Sequence, residues 1–110
     1  MSPAQFLDLV EGRTARFDLF PDGVHVGIEE FLSRDRSVWT RADGSCAYGR
    51  ITTDTRQICF EYEDQPGLLH CWVPFVRDDR VFVIDTDGSE IQEITELSDV
   101  PVDCIDLPLS

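Results

Sequence analysis

The chain is expected to form a mainly β domain, an antiparallel meander that closes into a small barrel or curled sheet, with one short helix at its N-terminus. Three observations predict this. Its 110 residues leave room for a single domain, spanning 1–110. Apolar residues recur with period two over most of that length. Turn residues interrupt the alternation at intervals of roughly 8 to 12 residues, giving about eight short strands between about 14 and 105. Hydrophobic residues make up 42% of the chain and include seven Phe, two Tyr and two Trp. A chain of this size can bury roughly two thirds of its unfolded surface, so it is expected to be ordered despite its charge.

The helix is expected over about residues 3–11. Ser2 is placed as N-cap, Pro3 at the first helical position, Gln5 three residues after the cap to complete a capping box, and Gly12 as the stop. Phe6, Leu9 and Val10 then form one apolar stripe. After Gly12 the alternation begins, with Ala15, Phe17 and Leu19 on one face. A turn at Pro21-Asp22-Gly23 follows, then Val24, Val26 and Ile28 against His25, Gly27 and Glu29. Phe31 is out of phase with Ile28, which predicts a bulge near Glu29 and Glu30. Further strands are expected at Ser37 to Arg41, Cys46 to Thr52, Gln57 to Glu63, Leu68 to Val76, Val81 to Asp85 and Glu90 to Leu97. A last one is expected at Val100 to Ile105. Asp43-Gly44, Pro66-Gly67 and Asp87-Gly88 supply hairpin turns.

Four cysteines, at 46, 59, 71 and 104, are even in number and widely spaced, which predicts two disulfides and an oxidising compartment, periplasmic or secreted. Structural zinc sites usually bring close C-x-x-C pairs, and none occurs here, so no metal site is expected. In Gln57 to Glu63 the apolar set Ile58, Phe60 and Tyr62 faces away from Cys59, Glu61 and Glu63. Its hairpin partner is apolar on both faces. If Cys59 pairs with Cys71, then Leu69, Val73 and Phe75 share the face of the glutamates, and the helix stripe is the expected cover. Cys46 would then pair with Cys104; two other connectivities stay open.

Twenty-two Asp and Glu against nine basic residues, all Arg, give a net charge of −13. Such a surface repels phosphate backbones and anionic lipid, so no nucleic acid partner is expected. No apolar run approaches the roughly 20 residues of a spanning helix, so no membrane insertion is expected. A basic protein is the partner that this charge would suit.

Catalytic fingerprints such as nucleophile elbows, H-E-x-x-H and P-loops are absent, and neither a catalytic residue nor a cofactor is assigned. His70 lies next to Cys71 with Glu61 and Glu63 on the neighbouring strand, a setting for acid–base chemistry. The Cys59–Cys71 parity instead turns His70 away from both glutamates, toward Tyr62 or Trp72, where a hydrogen-bonded structural histidine is the commoner outcome. His25 is expected on a solvent face. Asp85 to Glu90 resembles part of a calcium loop, but Val83 and Ile94 stand where acidic ligands are needed, so it reads as a turn. The aromatics Phe17, Trp39, Tyr48, Phe60, Tyr62, Trp72 and Phe75 either fill the barrel or line a pocket in its mouth. Trp39, Tyr48, Phe60, Tyr62, His70 and Trp72 are the candidate contacts for a small apolar ligand or an envelope component. The alternative is an acidic interaction or inhibitor module without a cavity.

Gly44-Ser45-Cys46, Ile58-Cys59-Phe60-Glu61-Tyr62-Glu63 and Cys71-Trp72 form the order G-x-C, I-C-F-x-Y-E, C-W after a short helix. In this the chain resembles a group of small exported bacterial proteins of unknown function. The resemblance implies an exported, disulfide-bonded domain and no particular activity. The chain departs from the group's pattern at Arg50, after Gly49, where a Trp is often found. Architecturally the meander is similar to lipocalin-like barrels, a likeness that assigns no ligand.

Overall fold

In the computed structural model, which describes residues 1–104, helix α1 (Pro3–Val10) precedes eight antiparallel strands. These are β1 (Thr14–Leu19), β2 (His25–Phe31), β3 (Arg36–Arg41), β4 (Cys46–Thr53), β5 (Ile58–Tyr62), β6 (Leu69–Arg77), β7 (Arg80–Asp85) and β8 (Ile91–Ser98). Each strand pairs with its successor in sequence and β8 returns to β1, so the meander is a closed barrel. Closure leaves no strand edge unpaired, which suits a small sheet that has no second layer to cover its rim. Residues 100–103 follow β8 without entering the sheet, so the strand expected at Val100 to Ile105 does not form over its described part. Ile105 lies outside the described residues.

Turn chemistry sets the hairpins. Gly23, Gly44, Gly67 and Gly88 all adopt positive φ in the turns expected for them. Between β6 and β7 the two central residues Asp78 and Asp79 have φ 54° and 61°, the left-handed pair that a two-residue hairpin requires. Asp tolerates this region because its short side chain can bond locally to the backbone.

Two expectations fail in β2. Gly27, Glu29 and Phe31, and not Val24, Val26 and Ile28, point into the barrel, opposite Phe17, Ala15 and Ser37 on the flanking strands. The bulge is not at Glu29 and Glu30. It lies at Val26, where consecutive residues Phe17 and Asp18 pair with Gly27 and His25. A large aromatic at Phe31 has more apolar surface to bury than Val26 or Ile28, and it fixes the parity of the strand. Glu29 is carried inward with it.

The helix is also placed differently from expectation. Its capping box forms, with Ser2 N–H donating to Gln5 Oε1 at 2.8 Å and Gln5 N–H to Ser2 Oγ at 3.1 Å. Instead of covering the outer face of β6, α1 closes one end of the barrel. Phe6, Leu7 and Val10 are buried there, and Phe6 meets Phe31 edge to face at 6.0 Å. Gly12 N–H donates to Phe31 C=O, Phe31 N–H donates to Arg13 C=O, and Arg34 bonds Asp8 and Glu11, so the helix is tied to the end of β2 and the loop after it. Plugging the barrel end buries Phe6, Leu7 and Val10 together with the Phe31 and Phe60 rings, which removes apolar surface from water. The outer face of β6 is covered only locally, where Phe75 stacks on Phe82 at 5.1 Å beneath the Arg80 guanidinium, and Leu69 remains 54% exposed.

Two glycines make room inside the barrel. A Cβ at Gly27 would lie 2.5 Å from the Trp39 indole, and one at Gly49 would lie 2.8 Å from the Tyr62 ring and 2.9 Å from Ser37 Oγ. Gly49→Ala is therefore expected to cost about 1–3 kcal/mol by overpacking. Urea unfolding measures it, and an unchanged midpoint would mean that the Tyr62 ring is free to move.

Candidate functional site

The inward faces of the strands line a partly open cavity of about 180 Å³. Phe6 of the helix reaches its wall, so one end is floored by α1. Arg41, Gln65 and His70 lie toward the other end, beside the β3–β4 and β5–β6 turns. Phe17, Trp39, Phe60 and Trp72 supply aromatic walls, with Ile58 and Val83 between them. Phe60 and Tyr62, two residues apart on β5, hold their rings nearly parallel at 6.1 Å, and Phe17 lies 6.3 Å from Trp39.

One side of the cavity is polar. Glu29 is only 3% exposed, and Tyr62 Oη donates to both of its carboxylate oxygens, at 2.9 and 3.1 Å. Burial raises the Glu29 pKa from 4.5 to about 7; Ser37 and Tyr62 pull it the other way, without cancelling the loss of solvent. Burial, and next the charge of Glu29, push the Tyr62 phenol far above its ordinary range, so it remains a donor. Ser37 sits near enough to favour the charged carboxylate, yet its Oγ makes no hydrogen bond of full geometry and is a buried hydroxyl without a partner. Across the cavity His70 lies 5.8 Å from the Tyr62 ring, with Nε2 3.0 Å from Gln65 Oε1. Arg41 is ion-paired with Asp64 at the rim.

Trp39, Phe60, Tyr62, His70 and Trp72 are thus brought together on the cavity wall. Tyr48 is not: it pairs with Val38 on the outer face and is 59% exposed. Phe75 is also outside, against Phe82. His70 does face away from Glu61 and Glu63, being the cross-strand partner of Phe60, and its hydrogen-bond partner is an amide, not a carboxylate. His25 lies on the outside with Nδ1 3.0 Å from Asp18, which also accepts from Thr95 at 2.8 Å and from Arg16. Thr95 is the extra residue where β8 bulges against β1. Burial raises the Asp18 pKa, but these hydrogen bonds and the Arg16 charge outweigh it and leave the carboxyl below its ordinary value. In the Asp85 to Glu90 segment the carboxylates of Asp85 and Asp87 accept turn N–H groups, as turn residues do.

The cysteines are joined as Cys59–Cys71, at directly opposed positions of β5 and β6, and Cys46–Cys104, which ties the segment after β8 to the start of β4.

The chain matches no family model, no curated protein and no solved structure.

Sequence reasoning missed the polar residues Glu29, Arg41, Gln65 and Gln92 as cavity residues. The signal for Glu29 was the parity of Phe31: counting back from that ring by twos places Glu29 and Gly27 on the inner face. Gln65 belongs to a turn, where period-two counting gives no direction. Among the described residues, no helix is long and apolar enough to cross a membrane.

Proposed function

We propose that this chain is an exported, disulfide-stapled barrel that binds a small, mainly apolar ligand in its interior. The observation that carries the proposal is the aromatic cavity of about 180 Å³, left unfilled in a barrel of a size whose own side chains can fill it. Volume narrows the ligand. Pockets for drug-sized molecules run to roughly 300–1,000 Å³, whereas an apolar cavity of about 150 Å³ takes up benzene. A single ring with one short substituent matches the interior volume. The acidic interaction module was expected to have no cavity, so the cavity favours the binding reading. Export is supported by the two disulfides, which persist in oxidising compartments, and by the resemblance to small exported bacterial proteins.

Toluene titrated into the protein, followed by the fluorescence of Trp39 and Trp72, tests this. Binding with a dissociation constant of roughly 0.1–1 mM is expected for a ligand of this size. Val83→Phe places a ring in the cavity and is expected to abolish the response. Equal responses from the parent protein and Val83→Phe would refute binding inside the barrel.

A further inference from the structure

We infer that the ligand of this cavity is a small aromatic amine bound as its cation, with the ammonium against the Glu29 carboxylate. The inference rests on the proposed cavity-binding function and adds the chemical class. A carboxylate offers about four lone-pair sites. Glu29 accepts from the Tyr62 hydroxyl, shared between its two oxygens, with the Ser37 hydroxyl close by, and among the described residues it has no cationic partner. The guanidinium nearest in kind on the cavity wall, Arg41, is engaged by Asp64 and by Ser45 Oγ. A buried carboxylate that lines a cavity without a counter-charge is complementary to a cation that can enter and donate N–H groups.

The walls agree with the charge. Trp39, Phe60, Tyr62 and Trp72 present aromatic rings, which attract a cation through their negative faces while also packing against a ligand ring. The net charge of −13 draws cations toward the protein and repels anions. An anionic ligand would meet Glu29, and the guanidinium on the wall, Arg41, is already paired with Asp64. A neutral ligand would leave the carboxylate as it is.

Linkage gives the inference a pH signature. Glu29 titrates at about 7, and only its charged form holds the ammonium, so affinity is expected to fall about tenfold from pH 8 to pH 6. Of the other ionisable groups near Glu29, Tyr62 stays a neutral donor and Arg41 is balanced by Asp64 at the rim. His70, bonded to Gln65 on the opposite wall, is left in place by Glu29→Gln, so that variant isolates the part played by Glu29. At pH 6 the ammonium is expected to displace close to one proton from Glu29, and this release is expected to be lost in Glu29→Gln.

The experiment is calorimetric titration of the intact, disulfide-bonded protein with benzylamine, toluene and benzoate at pH 8 and pH 6, in two buffers of different ionisation enthalpy. Benzylamine is expected to bind at least about tenfold more tightly than toluene at pH 8, and benzoate not measurably. At pH 6 benzylamine binding is expected to weaken and to release a proton, while toluene binding releases none. Glu29→Gln is expected to remove the preference for the amine. Toluene binding as tightly as benzylamine to the parent protein would overturn the amine assignment and leave the cavity reading standing. No binding by any of the three would overturn both. If Glu29→Gln does not fold, the proton count in the parent protein decides alone: benzylamine binding at pH 6 without proton release overturns the assignment.

Discussion

Raising the pH from about 4.5 to about 8 is expected to remove about 3 kcal/mol of folding stability through Glu29 alone. Its pKa is raised from 4.5 to about 7 by burial, so between those values the folded protein binds a proton that the unfolded chain has released. Stability from this group is therefore fully present below the unfolded pKa and is lost as pH rises through the folded one. Glu29→Gln keeps the shape and an acceptor for Tyr62 but carries no charge. The stability difference between Glu29→Gln and the parent protein, measured by urea unfolding, should grow in favour of the variant by about that amount across the window. Asp18, whose pKa is lowered, acts in the opposite sense: its contribution is present above the unfolded pKa and lost as pH falls below it. The comparison is therefore made above about pH 4.5. Parallel curves for the two proteins would show that the Glu29 carboxyl reaches solvent.

Removing the disulfides is expected to have the other large effect. The Cys46–Cys104 bond closes a sequence separation of 58 and Cys59–Cys71 one of 12. In the chain-entropy model these correspond to about 4 and about 3 kcal/mol through restriction of the unfolded chain. Domains are commonly stable by only about 5–15 kcal/mol, so the two together can equal the whole margin. Cys46→Ala with Cys104→Ala should lower the unfolding free energy by more than Cys59→Ala with Cys71→Ala, and full reduction should unfold the protein at moderate temperature. The reverse order would mean that stapling the β5–β6 hairpin matters more than closing the long loop, and would point to structure retained in the unfolded chain.

Most of the fold was written in short-range patterns. Ile58, Phe60 and Tyr62 alternate cleanly because β5 has one dry face, and Ser2, Pro3 and Gln5 specify the helix start through local hydrogen bonds alone. Where α1 docks was not local information: Phe6 goes to Phe31 because a closed barrel has an open end, and closure is known only once β8 meets β1. β2 misled because Val24, Val26 and Ile28 mimic an inner face, whereas the bulge at Val26 and the single ring of Phe31 decide the parity. The candidate site was legible in its aromatics, since Trp39, Phe60, Tyr62 and Trp72 share a wall by strand parity, as does His70. Its one buried charge was not. An acidic residue among 22 carries no mark of burial, and what holds Glu29 inside is a tyrosine 33 residues away in sequence.

A small ring is expected to enter the barrel. The most direct measurement is a search for intermolecular nuclear Overhauser effects between toluene and the methyl groups of Ile58 and Val83, which line the cavity. Cross-peaks to both residues, with the one to Ile58 lost in Val83→Phe, are the expected result. Toluene contacts confined to exposed positions such as Leu69 or Tyr48, with Ile58 and Val83 silent, would contradict it.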